Sequence, residues 1–466
     1  MITKLGEKFS YLFLKYMPDA FVFAIVLTLV SVLAAYFLVD ASLISIISSW
    51  YDGFFDLLSF AMQIILILVT GFSIALSPII GRLIDRLTKY ISTPKQVYFF
   101  VVLIGLLLSL VSFGWVVITG VLARELALRI KGVHYPFLIA CVYVSMCGWV
   151  TGLSSTIPLL LNTEGNYLIE AQVLSEIIPT TYTLNSYLNY AIIASFLVLM
   201  PLFMMMVGSK LKQIKELKEL YTSSGDIQSE KSIKNEALSM KLPFRAYSDY
   251  FNNSFLLSGL IVVMGLSYIV YYFATKGLEL NFNIIIFTFI IFGLLLHKTP
   301  LRYCIAMQRS SKNISGILFQ YPFYAGIMGI MIYTGLGEYL AKGISSIATI
   351  DTYPMYAFFI GGLVNFAIPS AGGEFAVVGP SLISAIQNIG VGLPEAEISA
   401  MISRASLAVA YGESLTNLLQ PFFLLLIIPV MGMGTKLQSR DVMGYLVIPF
   451  MFLFVVQLSL VLWMPM

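Results

Sequence analysis

The chain has 466 residues, of which 59% are hydrophobic and only 11% are charged, and its formal net charge is +3 at pH 7. A soluble domain carries roughly 25% charged residues, so this composition excludes an ordinary soluble protein and predicts a polytopic membrane protein. The small positive charge comes from lysines and arginines in the loops and does not indicate a nucleic-acid partner.

Apolar segments follow one another along the chain, and a membrane-crossing helix needs about 20 such residues. Ahead of the first one, residues 5–17 are predicted to form a short amphipathic helix on the cytoplasmic surface, since no signal-peptide cleavage site follows them. The predicted crossing segments are 20–39, 57–80, 96–128, 134–161, 184–207, 252–274, 282–297, 314–335, 353–389, 400–433 and 441–464. Three of them exceed one crossing or are interrupted.

Loop charge predicts the orientation, because Lys and Arg concentrate in cytoplasmic loops. The basic loops, predicted to be cytoplasmic, are 81–95, 124–131, 208–250, 298–312 and 435–440. The loops poor in Lys and Arg, predicted to lie outside, are 40–56, 162–183, 275–281, 336–352 and 390–399. Segment 96–128 then starts and ends inside, whereas 353–389 starts and ends outside, so each is predicted to be a hairpin entered from its own face.

The predicted fold is therefore an all-α polytopic membrane protein with two inverted-topology repeats of about five elements each, including helix hairpins and broken helices, plus one linker span. Residues 1–207 are predicted to hold the surface helix and first repeat, 208–281 the cytoplasmic connector and linker span, and 282–466 the second, inverted repeat. Local similarity between residues 60–71 and 319–329 places Gln63 opposite Gln320.

Stretches dense in Gly, Pro, Ser, Thr and Asn interrupt the apolar sequence twice in each half, at 112–120 and 147–166 and again at 365–380 and 410–423. Hydrocarbon does not tolerate an unpaired backbone N–H or C=O, so irregular backbone at that depth has to line a cavity enclosed by protein. Two matching sets of interruptions predict the binding site of a secondary transporter.

The residues of these stretches predict how a carboxylate is bound. Glycines permit tight turns at the hairpin tips, and Ser, Thr and Asn cap new half-helices whose free N–H groups attract an anion. The predicted substrate-binding residues are Ser112, Gly114, Ser154, Ser155, Thr156, Asn162, Asn365, Ser370, Gly372, Gly373, Ser414, Thr416 and Asn417. Gln63, Gln320, Tyr411 and Gln420 are predicted to support them, although an interhelical hydrogen bond is the alternative role of the glutamines.

Two acidic residues, Glu374 and Glu413, are predicted to lie at membrane depth and to bind the coupling ion, either H⁺ or Na⁺. The alternative for Glu374 is a position facing water at the hairpin mouth. A Na⁺ ion would lie near Asn365 and Glu413, and no other cofactor or metal is predicted. Phe113, Trp115 and Phe366 are candidate walls of an apolar pocket for the alkyl tail. The sodium position and these pocket walls are hypotheses from residue type alone.

No pattern of an enzyme occurs in the chain, which lacks an HExxH motif, a P-loop and a nucleophile elbow. The three cysteines are too scattered for a metal cage, and His134 and His297 stand at segment ends, where an interfacial role is expected. Arg124 and Arg404 lie near segment ends and are expected to set the topology. The chain is therefore not predicted to be an enzyme.

Several stretches together resemble the short-chain fatty acid transporter family, the permeases for acetoacetate and butyrate. They are MPDAFVFAIVLT (17–28), YDGFFDLLSFAMQ (51–63), HYPFLIACVYV (134–144), LLLHKTP (294–300), QYPFYAGI (320–327), NFAIPSAGGEFAVVGP (365–380) and AYGESLTNLLQPF (410–422). The resemblance implies a bacterial cytoplasmic-membrane carrier for short monocarboxylates, with inverted repeats and a homodimeric assembly. The chain has Glu374 where family members often have His, and Ser112 where Asn is usual.

The hypothesis that follows is alternating-access uptake of a short-chain monocarboxylate, coupled to H⁺ or Na⁺, with the N-terminus in the cytoplasm. One alternative is a cation/proton antiporter on a related scaffold, in which Glu374 and Glu413 bind the transported ions and no organic acid binds. The other is a channel or a non-transporting membrane scaffold.

Overall fold

The computed structural model describes residues 15, 20–87, 89–211, 214–220, 232–244, 246–277, 280–311, 315–366, 368–420, 423–432 and 435–466. Within these residues every regular element is a helix, and none is a β-strand, which confirms the predicted all-α class. The predicted surface helix 5–17 lies outside the described residues, apart from Lys15.

Among the described residues the first half contains eleven α-helices, and some consecutive helices are joined directly by a 3₁₀ or π-helical turn. They are α1 Ala20–Leu38, α2 Leu43–Gly53, α3 Leu58–Ala75, α4 Pro78–Leu87, α5 Pro94–Val111, α6 Val116–Arg129, α7 Tyr135–Met146, α8 Thr156–Leu161, α9 Tyr167–Glu170, α10 Tyr187–Ala194 and α11 Met200–Gly208. A 3₁₀ turn at Phe113–Trp115 joins α5 to α6, another at Cys147–Thr151 follows α7, and a π-helical turn at Ser195–Leu199 joins α10 to α11.

The connector and the second half contain the remaining helices. They are α12 Ile233–Ser239, α13 Tyr247–Asn252, α14 Phe255–Lys276, α15 Phe282–His297, α16 Pro300–Ser310, α17 Ser315–Tyr333, α18 Leu336–Ile347, α19 Tyr353–Val364, α20 Ala371–Ile389, α21 Glu395–Thr416, α22 Leu424–Met431, α23 Ser439–Met443 and α24 Val447–Trp463. A 3₁₀ turn at Asn417–Leu419 follows α21. Five helical stretches in the described residues are long and apolar enough to cross a membrane.

Local sequence explains where these helices begin. The first hairpin arm, α5, starts at a capping box in which Thr93 accepts from the N–H of Gln96 and the Gln96 side chain accepts from the N–H of Thr93, with Pro94 in the first turn. It ends at Ser112, whose backbone is extended. The linker helix α14 starts at Ser254, whose side chain accepts from the N–H of Leu257.

Three of the loops predicted between crossing segments contain helices of 11 or 12 residues. Helix α2 lies within 40–56, α16 within 298–312 and α18 within 336–352. Each is 11 or 12 residues long, which is too short to cross a bilayer of about 30 Å. A search for crossing segments misses such helices because polar residues on one face lower their average hydropathy.

The order of helices in the first half recurs in the second. Helices of 19, 11, 18 and 10 residues (α1 to α4) precede the first hairpin, and helices of 16, 11, 19 and 12 residues (α15 to α18) precede the second. The packing is reciprocal, because α1 and α2 contact α17 while α15 and α16 contact α3, the counterpart of α17. The recurrence supports two repeats; their opposite orientation and the three-part domain division stay predictions.

The connector between the two halves, predicted to be cytoplasmic, is attached to the helical core rather than lying free on its surface. Its Leu217 is buried, and Lys215 and Glu216 bond to the segment before α7. Farther along, α12 contacts α16, where Arg309 and Glu236 form a salt bridge. The long loop predicted from its Lys, Glu and Leu pattern therefore contains short helical pieces, each packed on a membrane-facing element.

Candidate functional site

The tip of the first hairpin, at the 3₁₀ turn between α5 and α6, is held against the break between α7 and α8. The backbone N–H of Phe113 donates to Ser154 Oγ at 3.0 Å, and the N–H of Leu153 donates to the carbonyl of Leu110 at 2.7 Å. A Cβ at Gly152 would lie 2.1 Å from that carbonyl oxygen, so glycine is required for the approach. The first hairpin and the first broken helix thus form one unit.

The same tip also rests on α3. Trp115 Nε1 donates to the carbonyl of Gly71 at 3.0 Å, and a Cβ at Gly71 would lie 2.3 Å from Ser112 Oγ. Ser112 Oγ in turn accepts from the N–H of Gly114 at 3.3 Å, which caps the 3₁₀ turn. Ser112 and Gly114 therefore shape the hairpin tip, and their predicted role in binding substrate stays a prediction.

In the second half, Asn365 joins the hairpin to the broken helix. Its Nδ2 donates at 2.9 Å to the carbonyl of Glu413, to Thr416 Oγ1 and to Asn417 Oδ1. Gln420 Nε2 returns a hydrogen bond of 3.0 Å to the carbonyl of Asn365. One amide thus connects four predicted site residues that lie up to 55 positions away. All five are buried.

The tip of the second hairpin faces aromatic side chains. A Cβ at Gly372 would lie 2.7 Å from Tyr321 Oη and 2.9 Å from Phe60 Cζ, and a Cβ at Gly373 would lie 2.7 Å from the Tyr324 ring. Tyr321 Oη is 3.3 Å from Ser370 Oγ. The two glycines are therefore needed for close approach of the tip to α17, in addition to any turn they permit.

The two broken helices meet directly. Tyr143 Oη in the first donates to the carbonyls of Asn417 and Gln420 in the second, at 2.6 and 2.9 Å. Tyr411 Oη in the second donates at 2.9 Å to Asn189 Oδ1, whose Nδ2 bonds the carbonyl of Thr151 in the first break at 3.0 Å. A tyrosine of each half thereby stabilises the irregular backbone of the other half, which is the supporting role predicted for Tyr411.

Among the described residues, the buried polar atoms of this region that have no hydrogen-bond partner fall into two chemical classes. The acceptors are both carboxylate oxygens of Glu374, both of Glu413, and Asn365 Oδ1. The groups able to donate are Trp149 Nε1 and Tyr167 Oη. A buried polar group without a partner destabilises the fold, and an unpaired buried charge does so strongly. These atoms therefore call for ligands that the protein itself does not supply.

Glu413 is the point where the elements converge. Its side chain interacts electrostatically with Glu374 on α20, Tyr321 on α17 and Cys147 in the first break. Glu374 and Glu413 are both completely buried, so Glu374 does not face water at a hairpin mouth. Two buried carboxyl groups that repel each other electrostatically are strongly disfavoured when both carry a bare charge. At least one must be protonated or matched by a cation.

The predicted half-helix start at Glu413, Ser414 and Thr416 is wrong. All three residues belong to the last turns of α21, which ends at Thr416, and the break follows at Asn417–Leu419. Thr416 Oγ1 donates back to the carbonyl of Gly412 at 3.2 Å, a bond that is compatible with helix and hides its hydroxyl from a ligand. These residues contribute carbonyls and side chains to the site, and not free N–H groups.

The first break also departs from the expected capping. Thr156 does begin α8, but the side chain of the preceding Ser155 makes no cap and donates instead to the carbonyl of Val150. Ser154 caps the hairpin tip and not its own helix. The predicted residues are present at the site, but their hydroxyls serve its scaffold.

Two predicted residues lie away from this region. Gln63 Nε2 donates to Asn283 Oδ1 at 3.1 Å, which is the interhelical hydrogen bond that was its alternative role. Asn162 Nδ2 donates at 2.8 Å to the carbonyl of Leu280, just before α15. The side chain of Gln320 lies outside the described residues. Gln63 therefore bonds Asn283, and the predicted correspondence of Gln63 and Gln320 as equivalent positions of the two repeats stays a prediction.

The aromatic residues predicted to wall the alkyl pocket have other partners. The Phe113 ring packs edge-on against Trp149 and Phe423, with centroids 5.5 and 5.3 Å apart. Trp115 donates a hydrogen bond to the carbonyl of Gly71, and Phe366, the residue after Asn365, is half-buried. The aromatic residues at the second hairpin tip were missed, because Phe60, Tyr321 and Tyr324 are spaced like ordinary apolar residues of their helices.

The arginines and histidines at the segment ends have structural partners. Arg124 donates to the carbonyl of Val430 at 2.9 Å, and Arg404 donates to the carbonyl of Met464 at 2.7 Å, which satisfies helix C-termini. His134 accepts from the N–H of Lys215 and lies beside Tyr445. His297 Nε2 lies 2.7 Å from the carbonyl of Ser73.

Comparisons with known proteins agree with the resemblance seen in the sequence. A family model described as "Short chain fatty acid transporter" matches residues 1–464. A protein from Escherichia coli named for short-chain fatty acid transport is 33% identical over 465 residues, which cover 99% of this chain and 100% of the relative. A protein of the same name from Haemophilus influenzae is 32% identical over 450 residues, 96% of each chain.

Solved structures of low sequence identity share the fold. MtrF from Neisseria gonorrhoeae, described as an example of a class of antimetabolite efflux pumps, matches with a TM-score of 0.57 at 16% identity, covering 100% of this chain and 98% of MtrF. The YdaH transporter from Alcanivorax borkumensis matches with a TM-score of 0.56 at 13% identity, covering 95% and 98%. Both similarities concern the fold alone.

Proposed function

Because the chain belongs to the short-chain fatty acid transporter family, we propose that it imports short-chain monocarboxylates, such as butyrate or acetoacetate, across the bacterial cytoplasmic membrane. Family membership and its apolar helices together make it a multi-pass membrane transporter. Uptake is coupled to a cation, H⁺ or Na⁺, and proceeds by alternating access. The two halves exchange their contacts around a site between the hairpin tips and the broken helices.

The observation that carries the coupling is the pair of buried carboxyl groups at Glu374 and Glu413, whose four oxygens have no hydrogen-bond partner in the described part of the chain. A bound monocarboxylate adds a further negative charge nearby. Such a charge is costly in a low-dielectric site unless positive charge enters with it. A proton on either glutamate, or a sodium ion near Glu413 and Asn365 Oδ1, supplies that charge.

The arrangement of the breaks supports alternating access. Each hairpin is bonded to the broken helix of its own half, through Ser154 in the first and Asn365 in the second. The halves also contact each other, at the breaks through Tyr143 and Tyr411 and elsewhere through the packing of α1 and α2 on α17 and of α15 and α16 on α3. Hairpins that are bonded to the broken helices can move together with them around a substrate bound at the breaks.

The test uses purified protein in proteoliposomes with radiolabelled butyrate and an imposed proton or sodium gradient. Uptake that saturates, shows counterflow and follows one of the two gradients is expected, and Glu413→Gln should abolish the gradient dependence. Sodium or proton flux without any carboxylate present would instead indicate a cation/proton antiporter. Non-saturable flux would indicate a channel, and efflux against the imposed gradient would reverse the proposed direction.

A further inference from the structure

We propose that the hydroxyl groups of Tyr167 and Tyr321 bind the carboxylate of the transported acid at the N-terminus of α20, with the Phe60 ring as the shared floor of the subsite. This proposal deepens the proposed function and rests on it. It assigns the binding of the carboxylate to two tyrosines that were not among the substrate-binding residues predicted from the sequence. Glu374 and Glu413 then bind the coupling cation.

The first observation is the hydroxyl of Tyr167. The residue is only 4% exposed, and its Oη has no hydrogen-bond partner among the described residues. The short helix that carries it is well anchored, since Asn166 Oδ1 accepts from the N–H groups of Leu168 and Ile169. A buried hydroxyl without a partner costs about 1–3 kcal/mol, whereas phenylalanine would fill the same space without that penalty. The hydroxyl is therefore available to donate to a ligand.

The second observation is the hydroxyl of Tyr321, which is 2% exposed. Its neighbour is Ser370 Oγ at 3.3 Å, longer than the 2.7–2.8 Å that is usual for bonds between hydroxyl groups. Either atom can be the donor in this contact. A negatively charged oxygen would displace so weak a bond, because charge-assisted hydrogen bonds are shorter and stronger.

The two phenols belong to one cluster of aromatic rings. The rings of Tyr167 and Tyr321 both pack edge-on against Phe60, with centroid distances of 5.5 and 6.0 Å, and the two phenols interact electrostatically. Tyr321 Oη and Phe60 Cζ in turn lie 2.7 and 2.9 Å from the position of a Cβ at Gly372. Residues of both halves thus surround the tip of the second hairpin.

That tip is the N-terminus of α20, a helix of 19 residues. The N–H of Glu374 bonds the carbonyl of Ser370 at 2.8 Å and begins the helical pattern, so the N–H groups of residues 371–373 have no acceptor within the helix. They form the positive end of the helix dipole, which favours an anion. The unpaired hydroxyl of Tyr167 is an independent sign that a ligand binds there.

Neutral donors suit a monocarboxylate that has to be released again. Two phenols and backbone N–H groups orient a carboxylate without the strong attraction of an arginine or lysine, and the adjacent rings of Phe60 and Phe282, 5.7 Å apart, offer apolar surface to a short alkyl chain. Glu374 lies in the first turn of α20 and would repel a second carboxylate if it were ionised. Binding of the acid is therefore expected to strengthen when the coupling cation is bound.

The experiment compares Tyr167→Phe and Tyr321→Phe with Tyr303→Phe, a control on α16, which lies away from the hairpin tip. Butyrate binding to detergent-purified protein is followed by calorimetry, butyrate uptake is measured in proteoliposomes, and thermal unfolding is measured without ligand. Butanol, which has the same number of carbon atoms but no carboxylate, serves as a competitor that can bind through its alkyl chain but not through a carboxylate.

Tyr167→Phe is expected to unfold at the same temperature as the wild type or higher, and to raise the Kd and KM for butyrate at least about tenfold, as loss of a hydrogen bond to a charged group does. Tyr321→Phe should raise both constants similarly, and Tyr303→Phe should change neither. Weak competition by butanol should stay unchanged in all variants.

Wild-type constants in both tyrosine variants would overturn the inference while leaving the proposed function intact. Loss of thermal stability in Tyr167→Phe that accounts for the lost uptake would also overturn it, since the hydroxyl would then be structural. A wild-type protein that neither binds nor carries any monocarboxylate would refute the proposed function and the subsite together, and that failure is visible before any variant is compared.

Discussion

Ser414 and Cys147 exchange hydrogen bonds across the junction of the two broken helices. Ser414 Oγ donates to the carbonyl of Cys147 at 2.8 Å, and Cys147 Sγ donates to the carbonyl of Ser414 at 3.5 Å. Cys147 is the first residue of the 3₁₀ turn after α7, and Ser414 lies in the last turn of α21, just before the 3₁₀ turn of the second half. These two bonds connect the halves next to Glu413. They hold the two irregular segments in a fixed relative position.

We expect Ser414→Ala to weaken this junction. The Cys147 carbonyl loses its buried donor, which should lower the free energy of unfolding by about 1–3 kcal/mol. Butyrate uptake should fall several-fold, because the relative position of the breaks changes. Thermal unfolding in detergent and uptake in proteoliposomes measure the two effects.

Ser406→Ala is the matched control for that substitution. Ser406 is buried on the same helix, and its hydroxyl has no partner among the described residues, so its removal should leave stability unchanged or slightly raised. Equal destabilisation by both substitutions would show that the Ser414 bond has no particular role at the junction.

Asn365→Ala removes the amide that joins the second hairpin to the second break. Three acceptors, among them Asn417 Oδ1, lose the donor that lies 2.9 Å away, whereas Gln420 keeps its bond to the backbone carbonyl of residue 365. Uptake of butyrate should fall at least about tenfold, and Asn417→Ala should act in the same direction. Initial rates at saturating and limiting butyrate separate an effect on binding from one on turnover.

Asn162→Ala provides the contrast. Asn162 was predicted at the site, but its side chain bonds the carbonyl of Leu280. Its loss should therefore lower thermal stability and leave the KM for butyrate unchanged. An unchanged uptake rate in Asn365→Ala, or a raised KM in Asn162→Ala, would contradict the assignment of the site to Asn365.

Gly372→Ala tests the close approach of the second hairpin tip to α17. The added methyl group would lie 2.7 Å from Tyr321 Oη and 2.9 Å from Phe60 Cζ, so the tip or the rings must move. Overpacking of this kind costs about 1–3 kcal/mol, and transport should be lost because the tip is displaced. Gly343→Ala on α18, where a methyl group meets no atom within 4 Å, should be neutral or stabilising by up to about 1 kcal/mol.

His134 predicts a dependence of stability on pH. Its Nδ1 accepts the N–H of Lys215 at 2.9 Å, so the neutral ring carries its proton on Nε2, toward Tyr445 Oη. Burial, and then the charge of Lys215, lower the pKa of His134 from 6.5 to about 4. Between these values the unfolded chain binds a proton that the folded chain does not, so stability is complete above about pH 6.5 and is lost progressively as pH falls toward 4.

The measurement is the thermal unfolding temperature at pH 7.5 and pH 5 for the wild type and for His134→Gln, which cannot titrate. The wild type should lose more of its thermal stability on acidification than the variant. Because carboxyl groups elsewhere affect both proteins alike, an identical loss in the two would show that His134 does not contribute.

The sequence by itself determined the class of the molecule and the location of its irregular backbone. Hydropathy reports the membrane environment of each segment, and Gly, Pro and Asn in 365–373 mark where a helix cannot continue, so the hairpins and breaks were predictable from local composition. The motifs around Gly372 and Glu413 also carried the family resemblance. The short helices α2, α16 and α18 were missed because amphipathic segments have little net hydropathy.

Only the tertiary structure decided which side chains meet. Gln63 bonds Asn283, Asn162 bonds the carbonyl of Leu280, and α21 continues through Ser414 to Thr416 before it breaks. Tyr167 and Tyr321 have no local signal that separates them from other aromatic residues of apolar helices. Hydrogen-bond partners far apart in sequence are selected by how the helices pack, and that choice depends on all of them at once.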